Sequence, residues 1–243
     1  MSDSQRRPAR LHVVVPAAGN GTRFGGHKQY ADLAGCSVVV RTLERLRTGL
    51  APHALYVAVA RDDVEFEHLS GCPPGVHVLR CGGATRAATV ANALHELVPG
   101  CADDDWIAVH DAVRPCVPLD ALARLVQHLA DGDIVGALLA VPVADTLKRA
   151  TSAAAPPTVV ATVSRTDLWQ AQTPQVFRFG VLRRALAQPG ALAATDEAQA
   201  VEALGLAPRL VRGSDANIKI THAEDLALAT AILAAQTNGR VPA

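Results

Sequence analysis

The apolar positions of this chain change period as it proceeds. Leu11–Pro16 is a short branched run that opens onto glycines, the signature of a buried strand. From Ser37 to Arg47 the apolar residues Val39, Leu43 and Leu46 recur at helical spacing. The two patterns then alternate. Strands are predicted over Ala54–Ala60, Val76–Arg80, Trp106–His110 and Val135–Val141. Helices are predicted over Asp62–Leu69, Ala84–Leu97 (Val90, Leu94 and Leu97 on one face) and Leu119–Ala130. Strands alternating with amphipathic helices predict an α/β fold, a mostly parallel twisted sheet of Rossmann-like type with helices on both faces. Such sheets take ligands beyond the carboxyl ends of their strands. Three loops leave such ends with polar chemistry: after Val15, after Arg80 and after Val109.

Residues 142–164 break the rhythm. Thr146–Arg149 and Thr158–Val163 flank a small-residue, proline-rich turn, Thr151–Pro157, and read as two antiparallel strands of a projecting β-arm. Beyond it, Leu182–Ala187 and Asp196–Leu204 read as helices, Arg209–Arg212 as a strand and Asn217–Thr221 as a short strand bearing Lys219. Thr195 reads as a helix cap. Thr221 and Glu224 have capping-box spacing before a final helix. With no internal repeat or long linker, residues 1–243 are expected to form a single domain.

Composition narrows the functional classes. Hydrophobic residues are 49% and charged residues 19%, an ordinary globular balance. A formal net charge of +0 gives no basic excess of the kind a nucleic-acid binder shows. Cys36, Cys72, Cys81, Cys101 and Cys116 are odd in number and scattered, so free thiols in a reducing cytoplasm are expected rather than disulfides or a zinc motif. Leu11–Pro16 is too short for a signal core or a membrane span, which makes the cytoplasm the default location. Lys28, Lys148 and Lys219 are the only lysines; the other 20 of 23 basic residues are arginine. A lysine can mark a place that needs a compact ammonium.

The first loop reads Pro16-Ala-Ala-Gly19-Asn-Gly21-Thr-Arg23-Phe-Gly25-Gly26-His-Lys28. Its glycines let backbone N–H groups approach a polyphosphate, and Arg23 and Lys28 can neutralise its charge. It is neither a dinucleotide fingerprint, since Phe24 holds the third glycine position, nor a P-loop, since His27 and Gln29 flank the lysine. The second loop, Gly82-Gly83-Ala-Thr85-Arg86-Ala-Ala-Thr89, suits close approach of a base or ribose, or is a helix start capped by Thr85. The third, His110-Asp111-Ala-Val-Arg114-Pro115, offers a carboxylate for a metal-bound water or a ribose hydroxyl and an arginine for a phosphate, or a structural Asp–Arg pair. His110 is given no role.

Six ordered stretches, P-A-A-G-x-G-x-R with K-Q-Y, V-H-D-A-x-R-P, P-V-x-D-T-x-K-R, L-W-x-x-x-T-P-Q, T-D-E-A and N-I-K-x-T-x-x-E-D-L, make the chain resemble the 2-C-methyl-D-erythritol 4-phosphate cytidylyltransferases of the non-mevalonate isoprenoid pathway, from about Leu11 to Leu233. The resemblance implies transfer of CMP from CTP to the methylerythritol phosphate, with Mg²⁺ held mainly by the triphosphate and no protein metal ligands. It implies a homodimer joined through the arm, with no nucleic-acid or membrane partner. By likeness, Arg23, Lys28, Arg165 and Lys219 are catalytic, with Arg165 reaching the neighbouring subunit's site. Ala17, Ala18, Gly19, Gly21, Gly83 and Thr89 bind nucleotide, and Asp111, Arg114, Thr146, Thr173 and Thr195 line the substrate pocket. The chain departs from the pattern at His27, where proline is common, at Ala84, where an acidic residue is common, and in a loop from Arg23 to Lys28 shorter than in some members. The alternatives are a cytidylyltransferase for another polyol phosphate, such as ribitol 5-phosphate, and a nucleotide-binding module without catalysis.

Overall fold

In strand β1 (Leu11–Pro16) the alternation of side chains decides the architecture. Val13 and Val15 enter one apolar layer and Val14 the other. A strand apolar on both faces must be covered on both faces. Helices α1 (Val38–Leu50) and α3 (Leu119–Leu129) cover the first with Leu43, Leu46, Leu122 and Leu125. Helices α2 (Arg86–Leu97) and α4 (Phe179–Leu186) cover the second with Val90, Leu94 and Leu182, joined by Val201 of α5 (Glu197–Glu202). Each fully buried Leu or Val contributes roughly 1.5–3 kcal/mol of transfer free energy. The structure, a computed structural model, describes residues 9–21, 24–131, 134–151 and 156–238.

The main sheet also contains β2 (Ala54–Ala58), β3 (Val76–Leu79), β4 (Trp106–Val109), β5 (Gly136–Pro142), β8 (Trp169–Arg178) and β9 (Arg209–Arg212). Its order is β3-β2-β1-β4-β8-β5-β9. Strands β1–β4 pair in parallel, as do β5 and β9; β8 alone runs antiparallel to both neighbours. The predicted arm is present as β6 (Leu147–Ala150) and β7 (Val159–Val163), an antiparallel pair forming a separate sheet whose residues are exposed apart from half-buried Leu147 and Val163.

Four expectations are corrected. Strand β8, ten residues in the middle of the sheet, was not predicted: Gln170, Gln172 and Gln175 replace the expected apolar run, and Pro174 normally excludes a central strand. The fold accommodates that proline at an irregularity. Pairing passes from Leu138↔Gln175 to Ala140↔Ala171, so Pro174 lies where no ladder hydrogen bond is required, and the Thr173–Pro174 bond is cis. Asp62–Leu69 forms only a 3₁₀ turn at Phe66–His68. The segment bearing Lys219 is irregular rather than a strand. Thr221 and Glu224 do not form a capping box. Instead Asp225, the first residue of α6 (Asp225–Thr237), accepts the N–H groups of Thr221 (2.7 Å) and His222 (2.8 Å) on one carboxylate oxygen.

Among the described residues no helix is long and apolar enough to cross a membrane. The five cysteines are free thiols.

Candidate active site

The carboxyl ends of β1 and β4 and the start of α2 surround a cleft of about 510 Å³. Its wall is built first from the glycine loop, and Gln29 holds that loop in shape. This buried side chain donates to the carbonyls of Ala17 (3.0 Å) and Gly19 (3.1 Å), engaging the loop's acceptors from behind. Gly21 adopts φ +59°, and a Cβ there would overlap the Gly26 carbonyl, so only glycine fits the return of the loop. Opposite, Thr85 caps α2 by accepting from Ala88 N (3.0 Å), and Gly83 N donates to Thr89 Oγ1 (3.0 Å). A Cβ on Gly83 would stand 2.6 Å from that of Ala88, so the loop can lie on the helix start only without a side chain.

A cluster of five charges stands on the cleft's far side, with Arg86, Asp111 and Lys219 lining it. Asp111 is bonded by Arg86 Nε (2.8 Å), Lys219 Nζ (3.0 Å) and Arg114 Nε (3.3 Å). Arg86 continues to Glu197 (2.6 Å). Burial alone would raise the Asp111 carboxyl, but Arg86, Lys219 and Arg114 outweigh it and hold it well below the usual carboxylate range. Glu197 faces the same Arg86 yet shifts upward, because burial dominates there and a single cation opposes it. With both carboxylates ionised, three cations against two anions leave the cluster one positive charge, a disposition suited to an anionic ligand.

Lys28 and Lys219 meet across the chain. Lys28 Nζ donates to the carbonyl of Ile220 (2.9 Å), the residue after Lys219, so two ammonium groups from sequence positions 191 apart lie on one cleft wall. Arg114 donates to the Asn217 carbonyl (2.6 Å), and Asn217 Nδ2 donates to that of Thr173 (2.8 Å), which tie the Lys219 segment to β4 and β8.

Beneath Asp111 runs a buried relay. The Asp111 N–H donates to Thr173 Oγ1 (3.0 Å), the hydroxyl faces His110 Nδ1 (3.1 Å), and His110 Nε2 faces the Arg114 carbonyl (3.1 Å). The pattern closes when His110 is neutral with its proton on Nε2, donating to Arg114 and accepting from Thr173. Burial pushes this imidazole down to about 4. The unfolded chain therefore gains a proton near the ordinary histidine value of about 6.5, and the folded chain does not until about pH 4. Stability is expected to fall as pH drops through that window, by up to roughly 3 kcal/mol. Chemical denaturation at pH 7 and pH 4.5 should show a loss that His110→Gln largely removes; equal losses in both proteins would contradict it.

Of the residues singled out in the sequence, Ala17, Ala18, Gly19, Gly21, Lys28, Gly83, Thr89, Asp111 and Lys219 line this cleft. Arg114 and Thr173 hold Asp111 from behind. Thr146, Arg165 and Thr195 are exposed and not among the lining residues. Thr195 does not cap α5; Asp196 does, accepting from Gln199 N (2.9 Å). Arg23 lies outside the described residues. Sequence reasoning gave no role to Gln29, Arg86, His110, Glu197 or Asn217. The signal for Arg86 was its position one residue after the cap of a helix that opens on the cleft.

The chain matches the family described as 2-C-methyl-D-erythritol 4-phosphate cytidylyltransferase over residues 11–235. The chain belongs to this family. A relative of that name from Laribacter hongkongensis is 50% identical over 236 residues, 96% of this chain and 100% of its own. A crystal structure of a 4-diphosphocytidyl-2C-methyl-D-erythritol synthase superposes with a TM-score of 0.82 at 39% identity, covering 93% of this chain and all of that one. The Francisella tularensis cytidylyltransferase gives 0.77 at 33%, covering 92% and 100%. As a member of the cytidylyltransferase family the chain is a nucleotidyltransferase of isoprenoid biosynthesis.

Proposed function

We propose that this chain joins CTP to 2-C-methyl-D-erythritol 4-phosphate, releasing pyrophosphate and forming 4-diphosphocytidyl-2-C-methyl-D-erythritol. The observation that carries this reading is the convergence of the glycine loop, the start of α2, Asp111 and the two lysines on one cleft. An oxygen of the phosphate monoester attacks the α-phosphorus, and the bond from that phosphorus to the bridging oxygen of the departing pyrophosphate breaks. The nucleophile is already an anion, so no base is needed; the difficulty is repulsion between two anions. Catalysis is then positioning and charge stabilisation. The loop N–H groups seat the triphosphate, Lys28 meets charge developing at the α-phosphate, and Lys219, fixed by Asp111, faces the incoming phosphate. Gly83 and Thr89 border the space for the cytidine.

Mg²⁺ fits as part of the nucleotide. Among the described lining residues Asp111 is the only carboxylate, and its oxygens are held by three cations, so the cation belongs on the triphosphate, where it would neutralise the leaving pyrophosphate. Arg23 belongs to the same loop and is proposed to share the α-phosphate with Lys28. Thr146, Arg165 and Thr195 require a different argument. Thr146 and Thr195 are proposed to border the polyol phosphate, and Arg165 is proposed to act across a homodimer, in which the arm of one subunit carries it to its partner's cleft; exposed Val159, Val160 and Trp169 on and beside the arm suit such a contact. A cytoplasmic location completes the reading and is checked by cell fractionation.

Pyrophosphate release measured with CTP and a panel of polyol phosphates tests the activity. Methylerythritol phosphate should be turned over well above ribitol 5-phosphate; the reverse order would move the chain to the alternative substrate, and CTP binding without release would make it a binding module. Arg165→Ala is expected to raise KM for the polyol phosphate by about tenfold or more, the scale of one charge-assisted contact, and to leave KM for CTP nearly unchanged. Equal effects on both constants would contradict its placement.

A further inference from the structure

At the opposite end of β1 and β4 from the cleft lies a second group of chemically capable side chains. His12 is the second residue of β1, Asp105 immediately precedes β4, and Cys101 stands in the turn after α2. One ligand atom from each, an imidazole nitrogen, a carboxylate oxygen and the sulfur, lie within 4.8 Å of one another, the one such group of three among the described residues. His12 is 2% exposed, and neither ring nitrogen has a hydrogen-bond partner, although a buried polar atom normally finds one. Its Nε2 stands 3.6 Å from Asp105 Oδ2, too long for a hydrogen bond.

We propose that His12, Cys101 and Asp105 bind one divalent transition-metal ion of the zinc class. The argument is first one of donors: nitrogen, sulfur and carboxylate oxygen together are the set such ions take, whereas Mg²⁺ takes oxygen. It is then one of geometry. Tetrahedral bonds of about 2.0 Å to nitrogen and oxygen and about 2.3 Å to sulfur set neighbouring ligand atoms roughly 3.3–3.7 Å apart. The His12–Asp105 separation already has that value, and with all three ligand atoms within 4.8 Å of one another the sulfur needs to close by no more than about 1.5 Å. Asp105 is fixed by the backbone N–H groups of Arg10 (2.8 Å) and Ala102 (2.9 Å), the outer-shell support that orients a ligating carboxylate. His12 is fixed edge-on to His53, with ring centroids 5.2 Å apart, and over Tyr56 at 6.3 Å. The fourth position takes water, and the thiol proton leaves to solvent when sulfur binds. The ion would clasp the turn after α2 to the first residues of two central strands.

Cobalt titration of the full-length, metal-free protein without nucleotide tests this. One equivalent of Co²⁺ should give a thiolate-to-cobalt absorption band that Zn²⁺ abolishes. Cys101→Ala should remove the band and weaken Zn²⁺ binding more than about 100-fold, beyond what loss of an outer-shell partner produces, while CTP turnover stays near that of the unsubstituted protein. Absence of the band, or its survival in Cys101→Ala, overturns the proposal. Should that variant fold poorly, X-ray absorption on the zinc-loaded unsubstituted protein decides: one sulfur at about 2.3 Å with nitrogen and oxygen at about 2.0 Å supports it, and a shell without sulfur refutes it.

Discussion

Replacing Lys28 with Ala is expected to lower kcat by roughly 100- to 1,000-fold, the range found when one preorganised transition-state donor is removed. Most of the ground-state seat for the triphosphate survives, because it is backbone: Gln29 holds the loop through the carbonyls of Ala17 and Gly19. KM for CTP should therefore change by much less than kcat. That split is what distinguishes a group that meets developing charge from one that simply attracts an anion. Lys28→Arg is a sharper version of the same test, since it keeps the positive charge but replaces a compact ammonium, seated on the Ile220 carbonyl, with a longer, planar and delocalised guanidinium. Steady-state kinetics with an unchanged kcat in Lys28→Ala would remove Lys28 from catalysis.

Asp111→Ala should lower stability by about 3–5 kcal/mol, as when one member of a buried ion pair is deleted. The reason lies in what remains. Arg86 keeps Glu197, but Arg114 and Lys219 lose their only carboxylate among the ion pairs described here and repel one another across the vacated space. Urea denaturation measures the loss; a change below about 1 kcal/mol would mean that the cluster is solvated and contributes little. The pH dependence has a definite direction. The Asp111 carboxyl is held below its unfolded value, so its contribution is present above the ordinary carboxylate range and is lost as pH falls beneath it. This acid loss lies below the window assigned to His110, and the two should separate in a titration of stability.

Much of the fold was legible because its period was legible. Val13, Val14 and Val15 announce a strand buried on both faces, and Leu43 with Leu46 announce a helix covering one of them. The three polar loops were placed correctly for the same reason: in a parallel sheet, the ends of the strands and the starts of the helices share one edge. Strand β8 was not legible because its stability does not come from apolar alternation. Its buried glutamines are satisfied by distant groups: Gln172 by the Ser214 carbonyl, and Gln175 by Asp196 and by the N–H of Ala198. No local rule reports such partners. The charge cluster was half legible. Asp111 with Arg114 lies within one turn of sequence, and pairing was foreseen as one reading. Arg86 with Glu197 spans 111 residues and emerges only when α2 and α5 pack on the same face.

The irregularity beside Pro174 has a consequence for which changes in chain length this protein tolerates. Strand β8 is paired on both edges, so its side-chain orientation is specified twice, by Ala108↔Val176 on one side and by Ala140↔Ala171 on the other. Adding or deleting one residue between Trp169 and Gln172 would turn either Thr173 or the stretch before it to the wrong face. Thr173 is the hydroxyl on which the Asp111 N–H rests. An indel there leaves every charged group in the sequence and still dismantles the floor that aims them.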